Sequence, residues 1–197
     1  MKEIFEGIWI WSWFSEEKGY FFNGTLVADG AAKILIDPVR TTDKDYEFLK
    51  KQAPFGAIYL TNKDHERIAS SLRREFEAPV WIHEEDVPYL KEKPDHTFRE
   101  ADTLACGIRV IHLLHQKSPG ESAFYLAARK ILILGDALIG NPPKKLRLLP
   151  AAKYQDIRKA QAALRRLFSL CFETVLVGDG ACILENGFDA LDEFFAS

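Results

Sequence analysis

Apolar positions come first in runs. "IFEGIWIWSWF", "YFFNGTLVAD" and "AAKILIDPV" are rich in β-branched and aromatic residues and break at Asn-Gly and Asp-Gly, the turn chemistry of successive antiparallel strands. The chain is therefore expected to open as a β-meander. Trp9, Trp11 and Trp13 alternate at period two and share one sheet face. Core packing between two sheets is the simpler expectation for them, and a dimer or ligand surface the other.

The period then changes. "DKDYEFLKKQ" follows Thr41-Thr42, a plausible N-cap, and sets Tyr46 and Leu49 on one face, which predicts a short helix leading into the strand "AIYL". Beyond the polar stretch 61–67, Ile68, Leu72 and Phe76 recur every four residues, the stripe of an amphipathic helix ending before Pro79; "PVWIH" is a strand and "EEDVPYL" a turn of helix. A second β-rich stretch runs from about Phe98 through "GIRVIHLL", "SAFYLAA" and "KILILGDALIG". Tyr154, Ile157, Leu164, Leu167 and Phe168 predict a long helix, with Arg158, Lys159, Arg165 and Arg166 on its solvated faces. The strand "TVLVGDG" and a C-terminal helix after Asn186, with Phe188, Leu191, Phe194 and Phe195 inward, close the chain. The order is meander, βαβα, meander, long helix, βα: two similar halves packed sheet to sheet with helices outside. The irregular "GNPPKKLRLLP" (140–150) reads as a surface connector, or as the lip of a pocket.

Composition narrows the classes. The 197 residues fit one domain, 1–197, able to bury a full core. A formal charge of −3 gives no general attraction to nucleic acid or anionic lipid, so neither partner is expected. Cys106, Cys171 and Cys182 are odd in number and widely spaced, which fits reduced thiols and a cytoplasmic protein. No run reaches the ~18 apolar residues of a membrane span, and the N-terminus lacks the pattern of a cleaved leader.

Chemistry gathers where apolar runs stop. "YLTNKDHERIA" ends a buried strand in four ionisable side chains and an amide; "HQKSPGES", "LILGDALIG" and "VLVGDG" end or precede strands in the same way. His112 and His115 lie in a run that reads as strand, where a spacing of three points them to opposite faces, so they are not expected to pair on a metal. His83 and His96 have no flanking ligand pattern. Ser118 and Ser122 lie near Lys117, but no G-x-S-x-G elbow or phosphate loop accompanies them.

The order of these four loops resembles the metallo-β-lactamase-fold superfamily, in which T-H-x-H-x-D-H, G-H-T-P-G-E, a strand ending in G-D, and G-H-G bring ligands to one edge. The matching text is "LTNKDHER", "QKSPGES", "LGDALIG" and "VGDG", and the similarity spans essentially the whole chain. It implies an α/β (α+β) fold, a four-layer αββα sandwich. On that match Asn62, Asp64, Glu66 and Arg67 stand where the family has His, His, Asp and His. Lys117 replaces the second-loop His, Asp179 the last, and Asp136 alone is unchanged. His65 falls on an intervening position and is expected as a surface histidine at a helix start, with an inward, ligating turn as the alternative.

Zinc catalysis wants neutral imidazoles and an open position. Lys117 and Arg67 bring fixed cations instead, so an ion pair from Lys117 to Asp136 or Asp179 is expected to fill the site, and no cofactor is favoured. The alternative is one hard divalent ion, Mg, Mn or Ca, held by Asp64, Asp136 and Asp179. Three functional readings follow. The first is a small-molecule binding or interaction module that has lost the dinuclear zinc site. The second is an atypical hydrolase of a small ester, thioester or phosphoester, the one enzymatic reading. The third is a structural subunit of a homo-oligomer, a homodimer through the aromatic sheet in the simplest case.

Overall fold

The computed structural model describes residues 1–196. Seven strands form the first sheet in sequential order: β1 (Lys2–Phe5), β2 (Ile8–Ser15), β3 (Tyr20–Asp29), β4 (Ala32–Ile36), β5 (Ala57–Tyr59), β6 (Val80–His83) and β7 (His96–Phe98). The pairs from β1 to β4 are antiparallel, as the tight turns dictate; those from β4 to β7 are parallel, because α1 (Asp43–Gln52) and α2 (Ala69–Phe76) carry the first two returns across one face. The second sheet runs β11 (Thr174–Val177), β10 (Ile131–Leu134), β9 (Ser122–Leu126), β8 (Arg109–His112), with α3 (Ile157–Leu164) and α4 (Gly187–Ala196) outside it.

Three apolar cores define four layers, the expected αββα sandwich. Along β10, Ile131 and Ile133 enter the core between the sheets, while Leu132 and Leu134 enter the core under α3 and α4. β4 divides the same way: Ile34 and Ile36 face the second sheet, and Leu35 joins Leu49 of α1 and Leu72 of α2. Strands buried on both faces need continuous apolar runs, which is why these strands show no polar alternation. Each fully buried Leu or Ile contributes about 1.5–3 kcal/mol to that packing. α1 starts as its sequence predicts: the Thr42 hydroxyl accepts from Asp45 N and donates to the Asp45 carboxylate.

Several expectations are corrected. Trp11 is buried in the core under α1 and α2, Trp9 packs there against Phe48, and Trp13 is 38% exposed, so the tryptophan face points to the helices and not between the sheets. The halves are unequal, seven strands against four, because the N-terminal hairpin extends only one sheet. The long helix is an eight-residue α3 that tightens into a 3₁₀ segment at Arg165–Ser169. In α4, Leu191 is buried but Phe188 is 37% exposed. The three cysteines are free. Among the described residues no helix is long and apolar enough to cross a membrane.

Candidate functional site

The C-terminal ends of β4, β5, β10 and β11 open on one rim, and the four loops that follow them meet there. Asp37 comes directly after β4; its Oδ1 accepts from Thr61 N (2.8 Å), and its Oδ2 accepts from the Thr61 hydroxyl (2.6 Å) and from His65 Nδ1 (2.8 Å). Those bonds fix the loop after β5. Asn62 caps the 3₁₀ turn Lys63–His65 by accepting from Asp64 N, which rotates His65 inward. His65 is 1% exposed, so the expected surface histidine is corrected: Asp37, 28 residues upstream, captures one side of the ring.

The other side faces two aspartates. His65 Nε2 lies 3.3 Å from Asp136 Oδ1 and 3.8 Å from Asp179 Oδ1, close enough for charge attraction but aligned for a hydrogen bond with neither. Each aspartate follows a glycine after a strand, and the pairing of Gly with Asp has a steric reason. A Cβ on Gly178 would stand 2.4 Å from His65 Cε1, and one on Gly135 2.3 Å from the Thr61 hydroxyl and 2.6 Å from Asn62 Nδ2. The glycines leave room for the ring and its polar collar, and the next residue turns its carboxylate into the rim.

Fixed cations complete the network. Lys117 donates to Asp136 Oδ2 (2.6 Å) and Asp64 Oδ2 (2.9 Å), and Lys63 also reaches Asp64 (3.0 Å). Arg67 donates to Asp179 Oδ1 (2.6 Å) while its guanidinium lies 4.7 Å from the centre of the Phe22 ring. Of the two ion pairs expected for Lys117, the one to Asp136 forms, and Asp179 belongs to Arg67. Glu66 leaves the group: its carboxylate accepts from the backbone of Lys91 and Glu92. Asn62 stays behind the rim, its amide directed at Glu121 Oε1 (3.3 Å). Asp64 is held across Lys117 from Asp136, so the set that could share an ion is His65, Asp136 and Asp179 and not the expected Asp64, Asp136 and Asp179.

The ionisation states follow from these contacts. Burial and the Arg67 charge oppose a proton on His65, but Asp37 and Asp136 outweigh them and raise its pKa to about 10. Burial works against the Asp136 carboxylate as well, yet His65 and Lys117 hold it well below the usual carboxylate range. Burial lifts Asp179 despite His65 and Arg67. Glu121, fully buried behind Asn62, is pushed well up by burial and by the Asp136 charge.

Sequence reasoning missed four participants: Asp37, Thr61, Glu121 and Asp86. Asp86 accepts from Lys63 N, Ser118 Oγ and Gly120 N, tying the first loop to the second and holding Ser118 buried between them. Asp37 had a signal, an apolar strand ending in Asp-Pro, identical in character to the Gly-Asp ends. Two clefts flank the rim: one of about 680 Å³ between the β2–β3 hairpin and Arg67, lined by Trp13, Phe22 and Arg40, and one of about 500 Å³ reaching Lys117 from the side of Glu85 and Lys159.

A profile of the Metallo-beta-lactamase superfamily matches residues 1–197. The chain belongs to that superfamily. No curated protein sequence matches it. Among solved structures, the metallo-beta-lactamase DIM-1 exposed to ceftazidime is 18% identical, with 100% of this chain and 96% of that one covered and a TM-score of 0.78. A metallo-beta-lactamase from Pontibacter korlensis is 19% identical over 97% of both chains, TM-score 0.76. TTHA1623, solved in a di-iron-bound form, is 26% identical over 86% of this chain and 92% of that one, TM-score 0.69. The resemblance in the four loops therefore extends to the fold. Within this metallo-beta-lactamase superfamily member, one imidazole stands at the rim among four aspartates, a lysine and an arginine.

Proposed function

We propose that this protein is a metallo-beta-lactamase-fold binding module without the dinuclear zinc centre, in which protein cations neutralise the acids of the rim. One observation carries the reading: every aspartate there already has a cationic partner, Asp37 and Asp136 in His65, Asp64 and Asp136 in Lys117, and Asp179 in Arg67. The donor set does not fit two zinc ions. It has one imidazole, that imidazole is held protonated, and an ammonium stands 2.6 Å from the aspartate that a metal would need.

The cleft beside Arg67 is the proposed binding place. Trp13 and Phe22 line it with apolar surface, and Arg40, 5.6 Å from the Trp13 ring centre, stands outside the rim network and offers a contact for an acidic group. A thermal-shift screen of small aromatic and aliphatic acids tests this. A stabilising ligand whose effect disappears in Arg40→Ala supports the module, and stabilisation indifferent to Arg40 refutes the placement.

A second reading is favoured by the misaligned Nε2 of His65: a single divalent ion shared by His65, Asp136 and Asp179 in an atypical hydrolase of a small ester, thioester or phosphoester. Such an ion would acidify a bound water. Asp37 would then orient the imidazole from behind, as a carboxylate partner does for ligating histidines. Metal content of protein purified without chelator, compared with Asp136→Asn, separates the two. A content unchanged by the substitution supports the module; loss of one equivalent, together with loss of ester or thioester hydrolysis, supports the enzyme.

A further inference from the structure

We infer that His83, Glu85 and His112 form a separate site for a borderline divalent transition ion such as zinc. His83 is the last residue of β6, Glu85 lies in the 3₁₀ turn after it, and His112 is the last residue of β8, so the set bridges the two sheets. One potential donor atom from each lies within 4.8 Å of the others. Glu85 is exposed whereas the histidines are 2% and 7% exposed, giving a site with buried imidazoles and one face to solvent. A cleft of about 500 Å³ reaches Glu85, the exposed member of the set, and Lys117 within it is already neutralised by Asp136 and Asp64.

The hydrogen bonds of the rings suit coordination. His112 Nε2 faces the Pro119 carbonyl at 2.8 Å; a carbonyl only accepts, so Nε2 carries the proton and Nδ1 of the neutral ring carries a lone pair. A ligating histidine usually has its other nitrogen bonded in this way. His83 Nδ1 accepts a long 3.3 Å contact from Glu85 N, so it carries that ring's lone pair, and as a ligand it would exchange this weak contact for the ion. The rings lie with centroids 4.1 Å apart and planes at 32°, so both imidazoles border the same small space.

Two imidazoles and one carboxylate match zinc, cobalt and nickel better than magnesium or calcium, and leave a position for water. An ion here would pin the end of β6 to the end of β8 and, through Pro119, steady the turn that carries Lys117. This site is independent of the rim and of the ligand proposed beside Arg67.

The test is equilibrium dialysis of the chelator-stripped full chain against Zn²⁺, with Co²⁺ absorption as a second readout. One saturable equivalent is expected, with d–d bands of four- or five-coordinate cobalt. Glu85→Gln, an exposed change that leaves the fold intact, is expected to weaken binding by at least about 10-fold, the loss that even an outer hydrogen-bond partner causes. His112→Gln is expected to abolish it, with circular dichroism confirming folding, while Asp136→Asn leaves it unchanged. Absence of a saturable equivalent, binding indifferent to Glu85→Gln, or binding lost in Asp136→Asn would each overturn the assignment, the last by placing the ion at the rim.

Discussion

Lys117→Met removes one ammonium, keeps a stem of similar length, and tests the central charge balance. The change leaves the Asp136 side chain, 5% exposed, without its 2.6 Å partner, and leaves Asp64 to Lys63. At 2.6 Å and an effective dielectric of about 20, the lost attraction is roughly 6 kcal/mol before desolvation is counted. Breaking a buried pair on one side costs about 3–5 kcal/mol in practice. Two features of the structure reduce that: the Lys117 side chain is 24% exposed, and His65 remains 3.3 Å from Asp136. The expected cost is about 2–3 kcal/mol. Urea unfolding at neutral pH should show a lower midpoint at unchanged slope, and a cycle with Asp136→Asn should show a coupling of at least about 1 kcal/mol. A loss below about 0.5 kcal/mol with additive single changes would refute the claim that the ammonium neutralises the rim.

Other expectations come from the same contacts. Stability should peak at about pH 4 and fall on both sides. His65, raised to about 10, contributes in full below its unfolded value of 6.5 and loses that contribution as pH climbs toward 10, on the order of a few kcal/mol; Glu121 has the same sign from 4.5 upward, and Asp64 and Asp136, both lowered, lose theirs as pH falls below 3.8. A pH series of urea midpoints checks this, and a flat alkaline limb would contradict the assigned His65 charge. Gly178→Ala should cost about 1–3 kcal/mol, since its Cβ meets the His65 ring at 2.4 Å; a thermal melt equal to the parent's would show that the ring is free to shift. Lys117→His with Asp179→His should gain little zinc affinity, because Arg67 loses its carboxylate and stands beside the new imidazole. Adding Arg67→His should then tighten binding at least about 10-fold by calorimetry.

Periodicity and turn chemistry by themselves determined the order of strands and helices. Apolar runs bounded by Gly and Asp read as strands, and the four-residue spacing of Ile68, Leu72 and Phe76 as a helix lying on them. The strand ends also marked candidate chemistry, because Gly135-Asp136 and Gly178-Asp179 stop buried runs with a polar group, and the resemblance to the superfamily's ligand loops set Lys117 beside them. Only the tertiary structure decided which way a side chain turned at the end of its strand. His65 sits in a 3₁₀ turn with no period to assign its face, and it points inward because Asp37, just past the end of β4, accepts a hydrogen bond from its ring. Trp11 shows the same limit, since alternation says that three tryptophans share a face but not whether helices or a second sheet lie against it. His83 and His112, 29 residues apart and on different sheets, meet for the same reason: contacts between strand ends are set by how layers stack, and no local pattern encodes that.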